Sequence, residues 1–179
     1  AYDSYASDIS RTFPVNGKFS KAQRAVYDIV LEAQLAAIET IRPGTHWNEP
    51  HEAAIRVITK GLVDLGILKG SVKQLVSDSA YSPYYMHRTG HWLGMDVHDV
   101  GDYKIEGEWR TLEPGMIMTV EPGLYLSAET RGLARKWWNI GIRIEDDVLV
   151  TRNGYEVLSK DAPKSIDAIE ELMAKQLAA

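Results

Sequence analysis

Three of the five histidines and two aspartates fall within the stretch His87-Arg-Thr-Gly-His-Trp-Leu-Gly-Met-Asp-Val-His-Asp-Val-Gly101. Imidazole is the commonest neutral nitrogen ligand and titrates near physiological pH, so a cluster of imidazoles beside carboxylates suits a metal or a proton-transfer site. Gly94 would break a helix after His91, so the chain from His91 to Asp99 is expected to be extended, with side chains on alternate sides. His91 and His98 are an odd step apart and share a site only if the chain bends between them, a bend that Gly94 can supply. A buried strand that happens to carry histidines explains any one of them better; three together favour a site.

Further acidic and basic positions join this stretch. Asp8 lies inside an expected strand over residues 2–13, where a buried carboxylate costs several kcal/mol unless a cation meets it; Arg11 is the ordinary candidate and a metal the other. Asp3, an odd step away, is a weaker candidate on the opposite face. Glu121 shares a face with Ile117 and Thr119 on an expected strand from Ile117 to Leu126, and Pro122 tends to end that strand's pairing. In Ile140-Gly-Ile-Arg-Ile-Glu-Asp-Asp-Val-Leu-Val150, Arg143 and Glu145 face one way and Ile142 and Ile144 the other, so Glu145 should meet either Arg143 or a metal. Asp8, His91, Glu121 and Glu145 form a hard, oxygen-rich donor set. It suits two carboxylate-bridged divalent ions, manganese first with cobalt, iron or zinc as alternatives, and the reaction class is hydrolysis.

The elements that must position these groups follow from periodicity. Ser20 opens a helix with Ala22, Val26, Ile29, Val30, Ala33, Ala37 and Ile41 on one face, ended by Pro43-Gly44. A second helix begins between Thr45 and Asn48, tolerates Pro50 in its first turn, buries Ile55, Ile58, Leu62 and Leu65, and stops at Gly66. His46 and His51 at its start read as surface or capping residues. Ser71 caps a short turn of helix, and Ser77 to Tyr85 is a polar-aromatic loop. Ser127 to Trp138 reads as a loop over the rim of the site or a contact with another part of the molecule. Asn153-Gly154 makes a hairpin with Tyr155 to Leu158, and a last helix from about Ser165 buries Ile166, Ile169, Leu172, Met173 and Leu177.

Composition narrows the class. The 179 residues are 45% hydrophobic, enough to fill the core of one domain, and the net charge of -5 gives no basic footprint for nucleic acid. No apolar run approaches the roughly twenty residues of a membrane span. Without cysteine there is no disulfide or thiol chemistry, which fits the cytoplasm, and any metal must use histidine and carboxylates. The chain opens on Ala1 and what reads as mid-strand text, so it is expected to be a portion of a longer polypeptide.

Four co-linear blocks then carry a resemblance: Asp8-Ile-Ser-Arg-Thr-Phe-Pro, His87 to Asp99, Glu113-Pro-Gly-Met with Thr119-Val-Glu-Pro-Gly-Leu-Tyr125, and Gly141-Ile-Arg-Ile-Glu-Asp146. They resemble the pita-bread metallopeptidases, and among them the aminopeptidase P (Xaa-Pro aminopeptidase) group. The resemblance implies an α+β fold with a curved, mainly antiparallel sheet covered by helices. It implies residues 1–179 as one truncated catalytic domain lacking its N-terminal part. It also implies two divalent metals, most plausibly Mn2+ with Co2+, Zn2+ or Fe2+ as alternatives, and release of the N-terminal residue from peptides with proline second. By motif position, Asp8 and Glu145 match bridging ligands, while His91 and Glu121 match ligands of one metal. Glu121 also matches the group that moves the proton of the bridging water. His98 matches a donor to the oxyanion, His87 a substrate-positioning histidine, and Arg143 with Tyr125 a pair near the proline side. A further aspartate ligand and a further histidine of the family would precede Ala1, so one metal site is expected to be incomplete, the fragment poorly active and the parent a homo-oligomer. Prolidase, which cleaves Xaa-Pro dipeptides, shares most blocks. A non-catalytic pita-bread interaction module, binding through Trp137 and Trp138, is the reading from another class.

Overall fold

Ser20 starts the first helix because its hydroxyl accepts the Gln23 backbone N–H while the Gln23 side chain accepts the N–H of Ser20, satisfying two otherwise unpaired donors. A computed structural model describes the backbone of residues 2–177 and the side chains of residues 2–175. Helix α1 (Lys21–Ile38) buries Val26, Val30, Ala33 and Ala37, and α2 (Glu49–Asp64) buries Ala54, Ile58 and Leu62 with Pro50 in its first turn. The two helices meet so closely that a Cβ on Gly61 would lie 2.6 Å from the Ile29 side chain. Helix α1 ends at Ile38, short of Pro43, yet Ile41 is still buried beneath the turn that follows. A short α3 (Val72–Ser77) follows Ser71, which takes the expected N-cap position but makes no side-chain cap bond, and leads to the small hairpin β1 (Lys104–Ile105) and β2 (Glu108–Trp109).

The remaining strands form the surface that holds the site. They are β3 (Ile117–Val120), β4 (Gly123–Leu126), β5 (Ile140–Arg143), β6 (Asp146–Thr151) and β7 (Gly154–Val157), followed by α4 (Ile166–Leu177). The sequence reads as two long strands, 117–126 and 140–150; the structure splits each in two. Val120 pairs with Asp146 and Gly123 with Arg143, so a single antiparallel register runs through β3–β6 and β4–β5 and is interrupted only where Glu121-Pro122 faces Ile144-Glu145. Pro122 has no N–H to give the ladder, and only its carbonyl remains engaged, accepting from Ile144 at 3.4 Å. The interruption leaves Glu121 opposite Glu145.

Two further rows flank this ladder. On one side Leu93 N–H donates to Ile117, while Thr119 N–H donates to His91 and Glu121 N–H to Thr89, at 3.2, 3.0 and 2.7 Å. Extended pairing therefore stops at Leu93 rather than continuing to Asp99, because the chain turns at Gly94 and returns with Asp99 N–H on the Trp92 carbonyl. On the other side, residues 2–13 do not form the expected strand. Tyr2 and Tyr5 bond each other around Asp3 and Ser4, whose φ values of 48° and 70° reverse the chain. Residues 8–12 then run beside 143–147 with mixed bonding: Ser10 O accepts Glu145 N–H at 3.1 Å, and the Thr12 hydroxyl both donates to Arg143 O and accepts its N–H. Side-chain bonds replace ladder bonds, so alternation of residue types overstated the regularity.

Arg11 holds that irregular row in place. Its guanidinium donates to the carbonyls of Ser10, Glu145, Ala162 and Pro163 and to Asp146 Oδ1. Asp146 points to the face opposite Glu145 and is fully buried; it also accepts from Lys164, Ser159 and Gln34 at 2.6–2.8 Å. Arg11 is thus the partner of Asp146, not of Asp8. In α4, Ile166 and Ile169 are buried as expected, Met173 is partly buried, Leu172 is 46% exposed, and the side chain of Leu177 lies outside the described residues.

Lys164, Ser159 and Arg11 hold the Asp146 carboxyl below the ordinary carboxylate range against the opposing effect of burial. A depressed folded-state pKa stabilises above the unfolded value and loses that stability as pH falls below about 4. Asp146→Ala should cost roughly 3 kcal/mol or more in urea unfolding at pH 7, with the gap to wild type closing as the pH is taken below that range.

Candidate metal centre

Each expected ligand comes from a different row. His91 sits on the row 89–93, Glu121 at the β3–β4 break, Glu145 at the β5–β6 break and Asp8 on the row 8–12. Side chains opposite one another in adjacent strands share a face, and all four point to one place. His91 Nε2 lies 3.5 Å from Asp8 Oδ2 and 3.5 Å from Glu121 Oε1. Potential ligand atoms of Asp8, His91 and His98, and of His91, Glu121 and Glu145, lie within 4.8 Å of one another.

The protonation pattern asks for a cation. His91 Nδ1 is 2.9 Å from the Trp92 carbonyl, which can only accept, so that nitrogen bears hydrogen and Nε2 of the neutral ring presents a lone pair. Nε2 is buried without a hydrogen-bond partner, as is Glu145 Oε1. A protonated Nε2 would draw a carboxylate to about 2.7–2.9 Å; equal 3.5 Å separations instead match the spacing of atoms around an ion bonded at about 2.0–2.2 Å. The other Glu145 oxygen accepts the Ser10 hydroxyl at 2.5 Å. Burial, together with the nearby Glu121 and Asp8 charges, pushes Glu145 up to about 7, and burial, with Asp8 adding, pushes Asp147 up to about 6. Imidazole with carboxylate oxygens fits a divalent first-row ion.

Arg143 does not meet Glu145, as the sequence allowed; its Nη1 is 3.4 Å from Glu121 Oε2 and its Nε donates to the Tyr125 hydroxyl at 2.9 Å. His87 Nδ1 lies 2.7 Å from the Arg88 carbonyl and therefore donates to it, leaving Nε2 to accept the Tyr125 O–H at 2.8 Å. Burial, with Arg143 nearby, lowers the His87 pKa and keeps it neutral. His98 is exposed, and its ring stands edge-on to His91 with centroids 4.4 Å apart, so the bend at Gly94 does bring both histidines to one site. A cleft of about 590 Å3 opens onto the cluster, lined in part by His87, His98, Glu121, Arg143, Trp47 and Trp109.

Thr119, expected on the face of Glu121, is at the site: its Oγ1 accepts the His91 N–H and lies 3.4 Å from Glu121 Oε1. Asp147 escaped the sequence reading; it accepts the Asp8 N–H at 3.3 Å through both oxygens. It lies two residues from Glu145, a period-two signal that could have found it. His51 is half-buried, not a surface or capping group: its Nδ1 is 2.8 Å from the Thr89 hydroxyl. His46, by contrast, keeps to the start of α2, where its N–H donates to Glu49. Asp3 stays exposed in its turn, and the 127–138 segment packs Trp137 inward beside Leu65 and Tyr84, away from the cleft.

Residues 1–152 match the model of metallopeptidase family M24. The Xaa-Pro aminopeptidase of Haemophilus influenzae is 52% identical over 169 residues, 94% of this chain and 39% of that protein. The solved aminopeptidase PepP of Pseudomonas aeruginosa is 60% identical with a TM-score of 0.97, over 99% of this chain and 40% of that one. A zinc-substituted Escherichia coli aminopeptidase P in complex with product is 49% identical with a TM-score of 0.93, over 97% and 39%. The fold is therefore the pita-bread α+β fold, and the chain spans about two fifths of the length of the relatives it matches.

A carboxyl whose folded-state pKa is raised keeps a proton that the unfolded chain releases, so in chelator stability should fall as pH rises from about 4.5 to about 7. Glu145→Gln carries no charge to bury and should exceed wild type by roughly 1 kcal/mol or more at pH 8, with no advantage below pH 4.5. Equal denaturation midpoints at pH 8 would contradict the crowding of charge.

Proposed function

Because the chain belongs to metallopeptidase family M24, we propose that it supplies the metal-holding face of an enzyme that removes the N-terminal residue from peptides whose second residue is proline. The observation that carries the proposal is the convergence of Asp8, His91, Glu121 and Glu145, with His91 Nε2 and Glu145 Oε1 left unpaired in their midst. Divalent ions bound there, manganese by preference, would lower the pKa of a bound water and polarise the scissile carbonyl.

The chain's own groups then have distinct tasks. Glu121, half-engaged by Arg143 and Thr119, can take a proton from water and pass it to the leaving nitrogen. His98 stands free at the cleft edge and can donate to the developing oxyanion. His87, with Nε2 already taken by Tyr125, acts as a positioning group; with Tyr125 and Arg143 it forms one wall on the proline side. Glu145 and Asp8 would help to hold both ions in this reading. Four side chains are few for two ions that prefer about six ligands each, so we propose that residues 1–179 alone hold the second ion weakly.

Metal content per chain, measured beside hydrolysis of a proline-second tripeptide and of an Xaa-Pro dipeptide with and without manganese, tests this. The expected result is partial occupancy, slow turnover confined to the tripeptide, and loss of both metal and turnover in His91→Ala. Two full equivalents with brisk hydrolysis would overturn the weak-site proposal, dipeptide preference would favour a prolidase, and metal retention in His91→Ala would overturn the ligand assignment.

A further inference from the structure

Thr89 stands between a buried phenol and a half-buried imidazole. Its Oγ1 is 2.6 Å from the Tyr85 hydroxyl and 2.8 Å from His51 Nδ1, and Thr89 and Tyr85 are 3% and 1% exposed. The Tyr85 hydroxyl has Thr89 as its hydrogen-bond partner, so its proton must point there to avoid a buried unsatisfied donor. Thr89 therefore passes its own proton on to His51 Nδ1, giving a directed chain Tyr85→Thr89→His51. Burial, with Arg88 and His87 adding, pushes His51 down to about 4, so the ring is neutral and free to accept.

The chain ends against the metal centre at two points. The Thr89 carbonyl accepts the backbone N–H of Glu121 at 2.7 Å, the shortest of the three bonds that tie the 89–93 row to the 117–121 stretch. Gly90 lies so close to that stretch that a Cβ would sit 2.0 Å from the Thr119 carbonyl, so the pairing has no slack. The Tyr85 ring also meets the edge of His87, with centroids 4.9 Å apart.

We infer that His51, Thr89 and Tyr85 are positioning residues: they lock the Thr89 peptide that holds Glu121 at the break in the sheet, and they back the ring of His87. The inference rests on reading Glu121 as a ligand, and goes beyond it by assigning its placement to three side chains that touch neither metal nor substrate. No regular strand holds Glu121 on that edge, because the ladder stops at Val120 and Pro122 cannot donate. The neighbouring row must therefore be rigid on its own account. A buried, directed hydrogen-bond chain supplies that rigidity.

Amide hydrogen exchange and cobalt titration of the same chain test this in Thr89→Val, Thr89→Ser and Tyr85→Phe. Thr89→Val keeps the shape and removes the hydroxyl, and Tyr85→Phe removes only the donor. In both, protection of the Glu121 amide should fall about fivefold or more relative to that of Val148, and Thr89→Ser should restore it. Cobalt affinity should fall about tenfold with a changed visible spectrum in the first two variants and recover in the serine variant. Glu121 protection that moves no more than that of Val148 would overturn the inference. Should the wild-type chain bind no cobalt, the metal reading fails by itself, while the amide comparison still decides whether the three residues position Glu121.

Discussion

Concentrated negative charge is the constraint on which the structure turns. Asp8, Glu121 and Glu145 converge on an imidazole whose outward nitrogen also presents electrons, with His91, Glu121 and Glu145 largely buried. Two like charges about 4 Å apart cost roughly 4 kcal/mol at the effective dielectric of a protein surface, and more when buried. Arg143 offsets part of this at Glu121, and Ser10 gives one hydrogen bond to Glu145. Burial, with the remainder of this repulsion adding to it, raises the pKa of Glu145 and Asp147. A divalent cation converts the same geometry from repulsive to attractive.

The fold tolerates such a centre because its strongest polar interactions lie directly behind it. Asp146 follows Glu145 in sequence but faces the opposite way, where Arg11, Lys164, Gln34 and Ser159 satisfy it completely. Adjacent residues on one strand thus have opposite fates, one carboxylate held ionised as a structural pin and the next pushed toward protonation. The pin also anchors the row that carries Asp8, which has little regular pairing of its own. Stability and ligand placement are therefore joined through Arg11. The break at Glu121-Pro122 has a related effect: it turns two glutamates out of the ladder at one level, while the shared register on both sides keeps them opposite each other.

Much of this was legible in the sequence and some was not. The helices, the β6–β7 hairpin and the face shared by Thr119 and Glu121 follow from spacing, because period-two and period-three-four patterns survive tertiary packing. The bend at Gly94 was legible as well. The splitting of the 117–126 and 140–150 strands was only half legible: Pro122 announced one break, but nothing in Ile140 to Val150 announces its counterpart, which the partner strand imposes. Residues 2–13 misled because alternation of types does not reveal whether a neighbouring strand offers backbone or side-chain bonds. His51 misled for a related reason, since a histidine at a helix start looks exposed until Thr89 and Tyr85 close over it.

The central claim, that Asp8, His91, Glu121 and Glu145 share a cation, is tested most directly by anomalous diffraction from a manganese-soaked crystal of this chain. The account predicts an anomalous peak about 2.0–2.3 Å from His91 Nε2 and from Glu145 Oε1, with the two glutamates still opposed across the break. A crystal with manganese bound elsewhere and no peak among these four side chains would contradict it.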